Sequence, residues 1–152
     1  MVATKLFSVI LTVLVSSSLG TIVSDCDGEI GQPYAVIVKG CDVQPCRFST
    51  AVPVDLDIIF DVPNDLEFFA PAVSVSFDYV EWIPFSIEMN GCDSLVGYRC
   101  PLEEGERARF HFEMDVPPIP ITLGLQYALA IGTEEDAAKL NCFRVNATVI
   151  IE

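Results

Sequence analysis

From residue 34 onward, apolar and polar positions alternate with a period of two, the signature of half-buried β-strands. In residues 52–60 the even positions Val52, Val54, Leu56, Ile58 and Phe60 are apolar, and the odd ones include Pro53, Asp55 and Asp57. Residues 72–80 set Val73, Val75, Phe77 and Tyr79 against Ser74, Ser76 and Asp78. Residues 107–114 turn Phe110, Phe112 and Met114 inward and Arg109, His111 and Glu113 outward. The pattern recurs in residues 121–131, with Ile121, Leu123, Leu125, Tyr127, Leu129 and Ile131 on one face, and in residues 143–151, with Phe143, Val145, Ala147, Val149 and Ile151. Residues 34–39 and 82–89 add two candidates, the second weakened by Pro84, which cannot donate to a ladder. About seven short strands, each apolar on one face, predict an all-β sandwich of two sheets packed on those faces. Residues 134–139 are expected to cap a hairpin.

The first twenty residues do not share this pattern. Lys5 precedes an apolar run from Leu6 to Val15, and Ser16, Ser17, Ser18 and Gly20 follow. A basic start, a short apolar middle and a small-residue exit predict a secretory signal over residues 1–20, with cleavage after Gly20. The run is too short to span a bilayer comfortably. Residues 21–152 are then expected to form one domain with its own core.

All six cysteines, Cys26, Cys41, Cys46, Cys92, Cys100 and Cys142, fall in that domain. An even count in a secreted chain reads as disulfides, and several pairings are formally open. Spacing favours local closure of Cys41 with Cys46 and of Cys92 with Cys100, which leaves Cys26 for Cys142. A zinc site is a poor rival, because the chain has one histidine and no CxxC pair. The formal net charge of −14 argues against nucleic acid and anionic membrane surfaces as electrostatic partners. Yet 51% of the residues are hydrophobic, so there is much apolar surface to bury in a core or around a ligand.

Candidate chemistry is sparse, and no enzyme is expected. His111 is the lone histidine, placed outward between two phenylalanines, and no G-x-S-x-G nucleophile turn accompanies it. Asp55, Asp57, Asp61 and Asp65 cluster, as do Glu103, Glu104 and Glu106, but neither group has calcium-loop spacing. They read as solvated charge, and neither a metal site nor a cofactor is expected. Asn146-Ala147-Thr148 is a glycosylation sequon, with Asn146 on an outward strand position. Two connections are unusually apolar: residues 61–71, with Leu66, Phe68 and Phe69, and Val116-Pro117-Pro118-Ile119-Pro120. Such loops either cover the core as a lid or line an opening.

The chain resembles the ML (lipid-recognition) domain family, which includes the Niemann–Pick type C2 sterol carriers, their arthropod relatives and the group 2 mite allergens. The resemblance rests on Asp25-Cys26, on Gly40-Cys41-Asp42-Val43-Gln44-Pro45-Cys46, and on Ile83-Pro84-Phe85-Ser86-Ile87 leading into Asn90-Gly91-Cys92. Tyr98-Arg99-Cys100-Pro101-Leu102 and Cys142 before the last strand complete it. It implies an immunoglobulin-like sandwich with the cysteine pairs that spacing favours and with sheets splayed around an internal hydrophobic cavity. Carried onto this sequence, the pocket mouth corresponds to Trp82, Pro84, Phe85, Val116 and Ile119. Phe77, Tyr79, Phe110, Phe112, Leu125 and Tyr127, inward by alternation, are the expected walls, although alternation does not separate a wall from plain core. The expectation is a carrier of a sterol, fatty acid or other hydrophobic ligand, working outside the cell or in the endosomal or lysosomal lumen, with a membrane-bound acceptor or receptor as partner. The rival expectation is an extracellular interaction module, lipid-presenting or ligand-free, in immune recognition or chemosensation.

Overall fold

The computed structural model describes residues 20–152 apart from Ser86 and Glu135; the expected signal segment, save Gly20, lies outside the described residues. The described residues form eight strands: β1 (Ala35–Val38), β2 (Cys46–Ser49), β3 (Val54–Asp61), β4 (Ala70–Ser76), β5 (Ile83–Phe85), β6 (Arg107–Met114), β7 (Thr122–Ala130) and β8 (Lys139–Ile150). A 3₁₀ turn spans Gly91–Ser94. Among the described residues no helix is long and apolar enough to cross a membrane.

The strands form two sheets, one ordered β1-β3-β6 and the other β2-β8-β7-β4-β5. Every pairing is antiparallel except β2 with β8. Strand β2 is the element that alternation did not reveal. At four residues, Cys-Arg-Phe-Ser, it is too short to show a period and is stitched in by its parallel register with β8. Strand β5 is shorter than expected, at three residues, all exposed, with Pro84 at its centre. The chain turns between β7 and β8, with the Ala137 amide donating to the Glu134 carbonyl, so this connection closes a hairpin.

Alternation becomes burial in the two long inner ladders. Val54, Leu56, Ile58 and Phe60 of β3 and Phe110 and Phe112 of β6 face Leu123, Leu125, Tyr127 and Leu129 of β7 and Phe143, Val145 and Val149 of β8. Three disulfides fix the frame: Cys26–Cys142, Cys41–Cys46 and Cys92–Cys100. The first spans 116 positions, and closing so long a loop restricts the unfolded chain most. Cys41–Cys46 clips the bend where the chain leaves one sheet for the other. The apolar connection 61–71 serves as a lid: Leu66 and Phe69 are buried, and Leu66 exchanges backbone hydrogen bonds with Leu102. Phe69 lies so close to Gly91 that any β-carbon there would enter its ring.

Candidate functional site

A chain of aromatic rings crosses the space between the sheets. Phe60 packs edge-on against Phe69 at 5.4 Å between centroids, and Phe69 against Phe110 at the same distance. Phe110 stacks on Phe112 at 6.1 Å, and Phe112 meets Tyr127 edge-on at 6.4 Å. Tyr127 then stacks on Phe143 at 5.3 Å. Thus Phe110, Phe112, Leu125 and Tyr127, all expected at the interior, do come together there. The Tyr127 hydroxyl is buried in this apolar surround with no protein hydrogen-bond partner, and burial pushes its ionisation well above the usual phenol range. The side-chain oxygen of Asn141 is likewise buried and unpaired. Asn141 pairs with Leu129 in the ladder, on the same inner face as Tyr127.

Phe77 and Tyr79 are not walls. Strand β4 ends at Ser76, because the Asp78 carboxylate accepts hydrogen bonds from the Ser76 hydroxyl and the Val80 and Glu81 amides. That turn, with Tyr79 at φ 62°, swings the chain out of the ladder and leaves both rings exposed. The same hydrogen bonds hold the Asp78 carboxyl below its ordinary range. Tyr79 and Trp82 instead cover the outer face of β7 at Gly124, where a β-carbon would come within 2.9 Å of the indole. Arg144 lies over that indole at 4.3 Å and is held by Gln126 and Asp27.

The other expected mouth residues gather at one end and one edge of the sandwich. The β4–β5 and β6–β7 connections share that end, since Ser76 pairs with Gly124 where β7 begins. There Val116 is half-buried against the core and Ile119 is exposed. Trp82, Pro84 and Phe85 line a cleft of about 860 Å³, together with Ala72, Ile87 and Met89. This cleft lies at the β4–β5 edge against the outer face of the five-stranded sheet, where Ala72, Ser74 and Gln126 line it. A smaller one, about 370 Å³, lies at the β2–β3 corner beside Phe48 and Val54.

The edges differ in how firmly they are closed. On one side Cys41–Cys46 ties β1 to β2. On the other, the segment after Gly91 bridges to β6 through Leu95 opposite Phe110 and the Val96 amide on the Arg109 carbonyl. No disulfide crosses the end that carries Trp82, Phe85, Val116 and Ile119.

The charged outer face of β3 and β6 is more ordered than a solvated stripe. Asp57 is buried and takes hydrogen bonds from Arg109 and from His111 Nδ1, the latter at 3.0 Å. Burial alone would raise its carboxyl, but those two partners outweigh it and hold it below the usual range. The hydrogen bond to Asp57 raises His111 against the opposing effect of burial. Alternation placed these residues outward; their mutual contact depends on the β3–β6 register, which a single strand's pattern does not contain.

A disulfide-stapled β-sandwich with a continuous apolar interior and an unstapled apolar end is the architecture of a small lipid-binding domain. The profile of one family, the ML domain, matches residues 20–149, and the chain belongs to that family. Among solved structures, a Niemann–Pick type C2 protein from the Japanese carpenter ant superposes with a TM-score of 0.69 at 20% identity. That match covers 85% of this chain and 99% of the ant chain. No curated protein sequence matches the chain.

Proposed function

We propose that this protein is a secreted carrier that takes up a lipid between its sheets. Sterol, fatty acid and other hydrophobic molecules are the candidate cargo, and a membrane-bound acceptor or receptor is the candidate partner. The observation that carries the reading is the aromatic interior with the buried, unpartnered Tyr127 hydroxyl at its centre. A packed hydrophobic core has no use for a polar atom whose burial costs about 1–3 kcal/mol. A ligand that enters and presents a hydrogen-bonding group relieves that cost.

Uptake needs no catalytic group. Burying about 300 Å² of apolar lipid surface contributes about 7 kcal/mol before the costs of ordering, at about 25 cal/mol per Å². Entry occurs at the unstapled end, where β5 has only β4 as a partner and can move with Trp82, Pro84 and Phe85. Val116 and Ile119 form the opposite lip. The rings of Phe112 and Tyr127 then shift to admit the ligand. Asn146 is exposed on the outer face of β8, directly opposite Gly124, which Tyr79 and Trp82 cover, so a glycan there would sit beside Trp82.

Organic extraction of the purified secreted protein followed by mass spectrometry tests the reading. Roughly stoichiometric lipid, displaced by fluorescent sterol or fatty acid, is the expected result. Lipid-free protein that takes up neither probe would sink the carrier. The exposed Phe77, Val80, Ile83 and Phe85 would then favour the interaction module, with this apolar edge as its contact surface.

A further inference from the structure

The outer face of the three-stranded sheet holds a constellation that lipid carriage does not use. In the β3–β6 ladder Asp57 stands directly opposite His111, and Asp55 directly opposite Glu113. Side chains at alternate positions share a face, so the four form a square of one imidazole and three carboxylates. One donor atom each from Asp55, His111 and Glu113 lies within 4.8 Å of the others. His111 Nε2 is 3.5 Å from Glu113 Oε1, while Asp55 Oδ1 approaches the ring at Nδ1, at 3.7 Å. Two ligands bound at about 2.0–2.1 Å in a tetrahedral arrangement lie about 3.3 Å apart, so this pair is already close to chelating distance.

We propose that His111 Nε2 and Glu113, joined by Asp55 when its carboxylate turns from the Nδ1 side, form a binding site for a divalent transition-metal ion of the Zn²⁺ class, with Asp57 as the positioning residue. The Asp57 carboxylate accepts the Nδ1 proton, which fixes the tautomer and leaves the Nε2 lone pair toward Glu113. Charge supports the assignment. Arg109 neutralises Asp57, so Asp55 and Glu113 supply the two negative charges that balance a dication. Lys39 competes for Asp55 at 3.4 Å, but its ammonium is 79% exposed and can swing into water. One nitrogen and two carboxylates, with room for water, suit zinc better than calcium, which takes six to eight oxygens.

Because His111 is the chain's only histidine, its imidazole can be followed without ambiguity in untagged protein. All six cysteines are in disulfides, so no thiolate competes for the ion. Zinc chloride is titrated into uniformly ¹⁵N-labelled protein while the imidazole nitrogens are monitored by NMR and stoichiometry by calorimetry. The site predicts one ion per chain, a shift at Nε2, and a retained Nδ1 proton. His111→Gln and Glu113→Gln each weaken binding at least about tenfold, whereas Asp57→Asn weakens it about tenfold and mixes the tautomers. Lys39→Ala binds more tightly, and excess Ca²⁺ leaves the zinc-bound imidazole signals in place. An imidazole that does not respond to excess zinc overturns the proposal. So does a folded His111→Gln protein that binds zinc as tightly as the parent, or Ca²⁺ that displaces the zinc.

Discussion

Replacing Tyr127 by phenylalanine removes a single oxygen from the centre of the sandwich. The ring keeps its stacking on Phe143 and its edge contact with Phe112. That oxygen is fully buried with no partner in the protein, a condition that costs about 1–3 kcal/mol. Deleting it recovers most of that cost, less a small loss of packing where the oxygen sat. The net expectation is a stabilisation of about 1 kcal/mol, or a rise in Tm of roughly 3–5 °C for a domain of this size. Urea titration of delipidated, disulfide-intact protein reads this through Trp82, the only tryptophan. The alkaline limb gives a second signature. Burial raises the phenol's pKa in the folded state, so the parent loses further stability as pH rises above the unfolded value of about 10, where only the unfolded chain gives up the proton. Tyr127→Phe removes that alkaline loss. In the loaded protein the sign reverses: if a cargo hydroxyl or carboxyl pairs with Tyr127, the variant binds that lipid about tenfold more weakly, equivalent to about 1.4 kcal/mol. A variant destabilised by 1 kcal/mol or more without lipid, and unchanged in lipid affinity, would refute the reasoning.

Other substitutions probe the frame around that interior. Gly91→Ala drives a β-carbon into the Phe69 ring and is expected to cost about 1–3 kcal/mol, measured as a lowered urea midpoint. Replacing Cys26 and Cys142 together by alanine releases a loop spanning 116 positions and is expected to cost about 2–5 kcal/mol, read as a large drop in Tm. Asp57→Asn weakens the links to Arg109 and His111 and is expected to cost about 1–2 kcal/mol near neutral pH. Its carboxyl is lowered in the fold, so its contribution is present above the unfolded value of about 3.9 and is lost on acidification through the folded one. His111 runs the other way: its raised value makes its contribution complete below about 6.5 and lost as pH rises through the folded value. Denaturation curves from pH 3 to 8 should therefore differ in slope between parent and Asp57→Asn.

Two-residue periodicity reports which side of a strand a residue occupies, and that was enough to place Phe110, Phe112, Leu125 and Tyr127 between the sheets. It carries no information about where a strand stops. Phe77 and Tyr79 continue the alternation of β4 in sequence, but Asp78 offers its carboxylate to three local donors and ends the ladder at Ser76. The competing signal was legible in principle, because an aspartate two residues after a serine and before two free amides is a turn former. Strand β2 failed for the opposite reason: four residues cannot show a period, and its place comes from a distant partner in β8.

Register explains the rest of what one strand at a time conceals. Asp55, Asp57, His111 and Glu113 each read as solvent-facing, and each does lie on the outer face. Whether they repel, ignore or complete one another depends on the pairing of β3 with β6, set by apolar partners such as Leu56 with Phe112 and Ile58 with Phe110. A slip of one residue would turn every one of those apolar side chains to water, so the core specifies the register strongly. The polar square follows as a consequence of inner-face packing. The hydrophobic interior therefore fixes the geometry of the charged exterior on the other side of the same strands. A substitution that shifts Phe110 or Phe112 should move His111, which sits between them, and displacement of those rings by a bound lipid is expected to be felt at the imidazole.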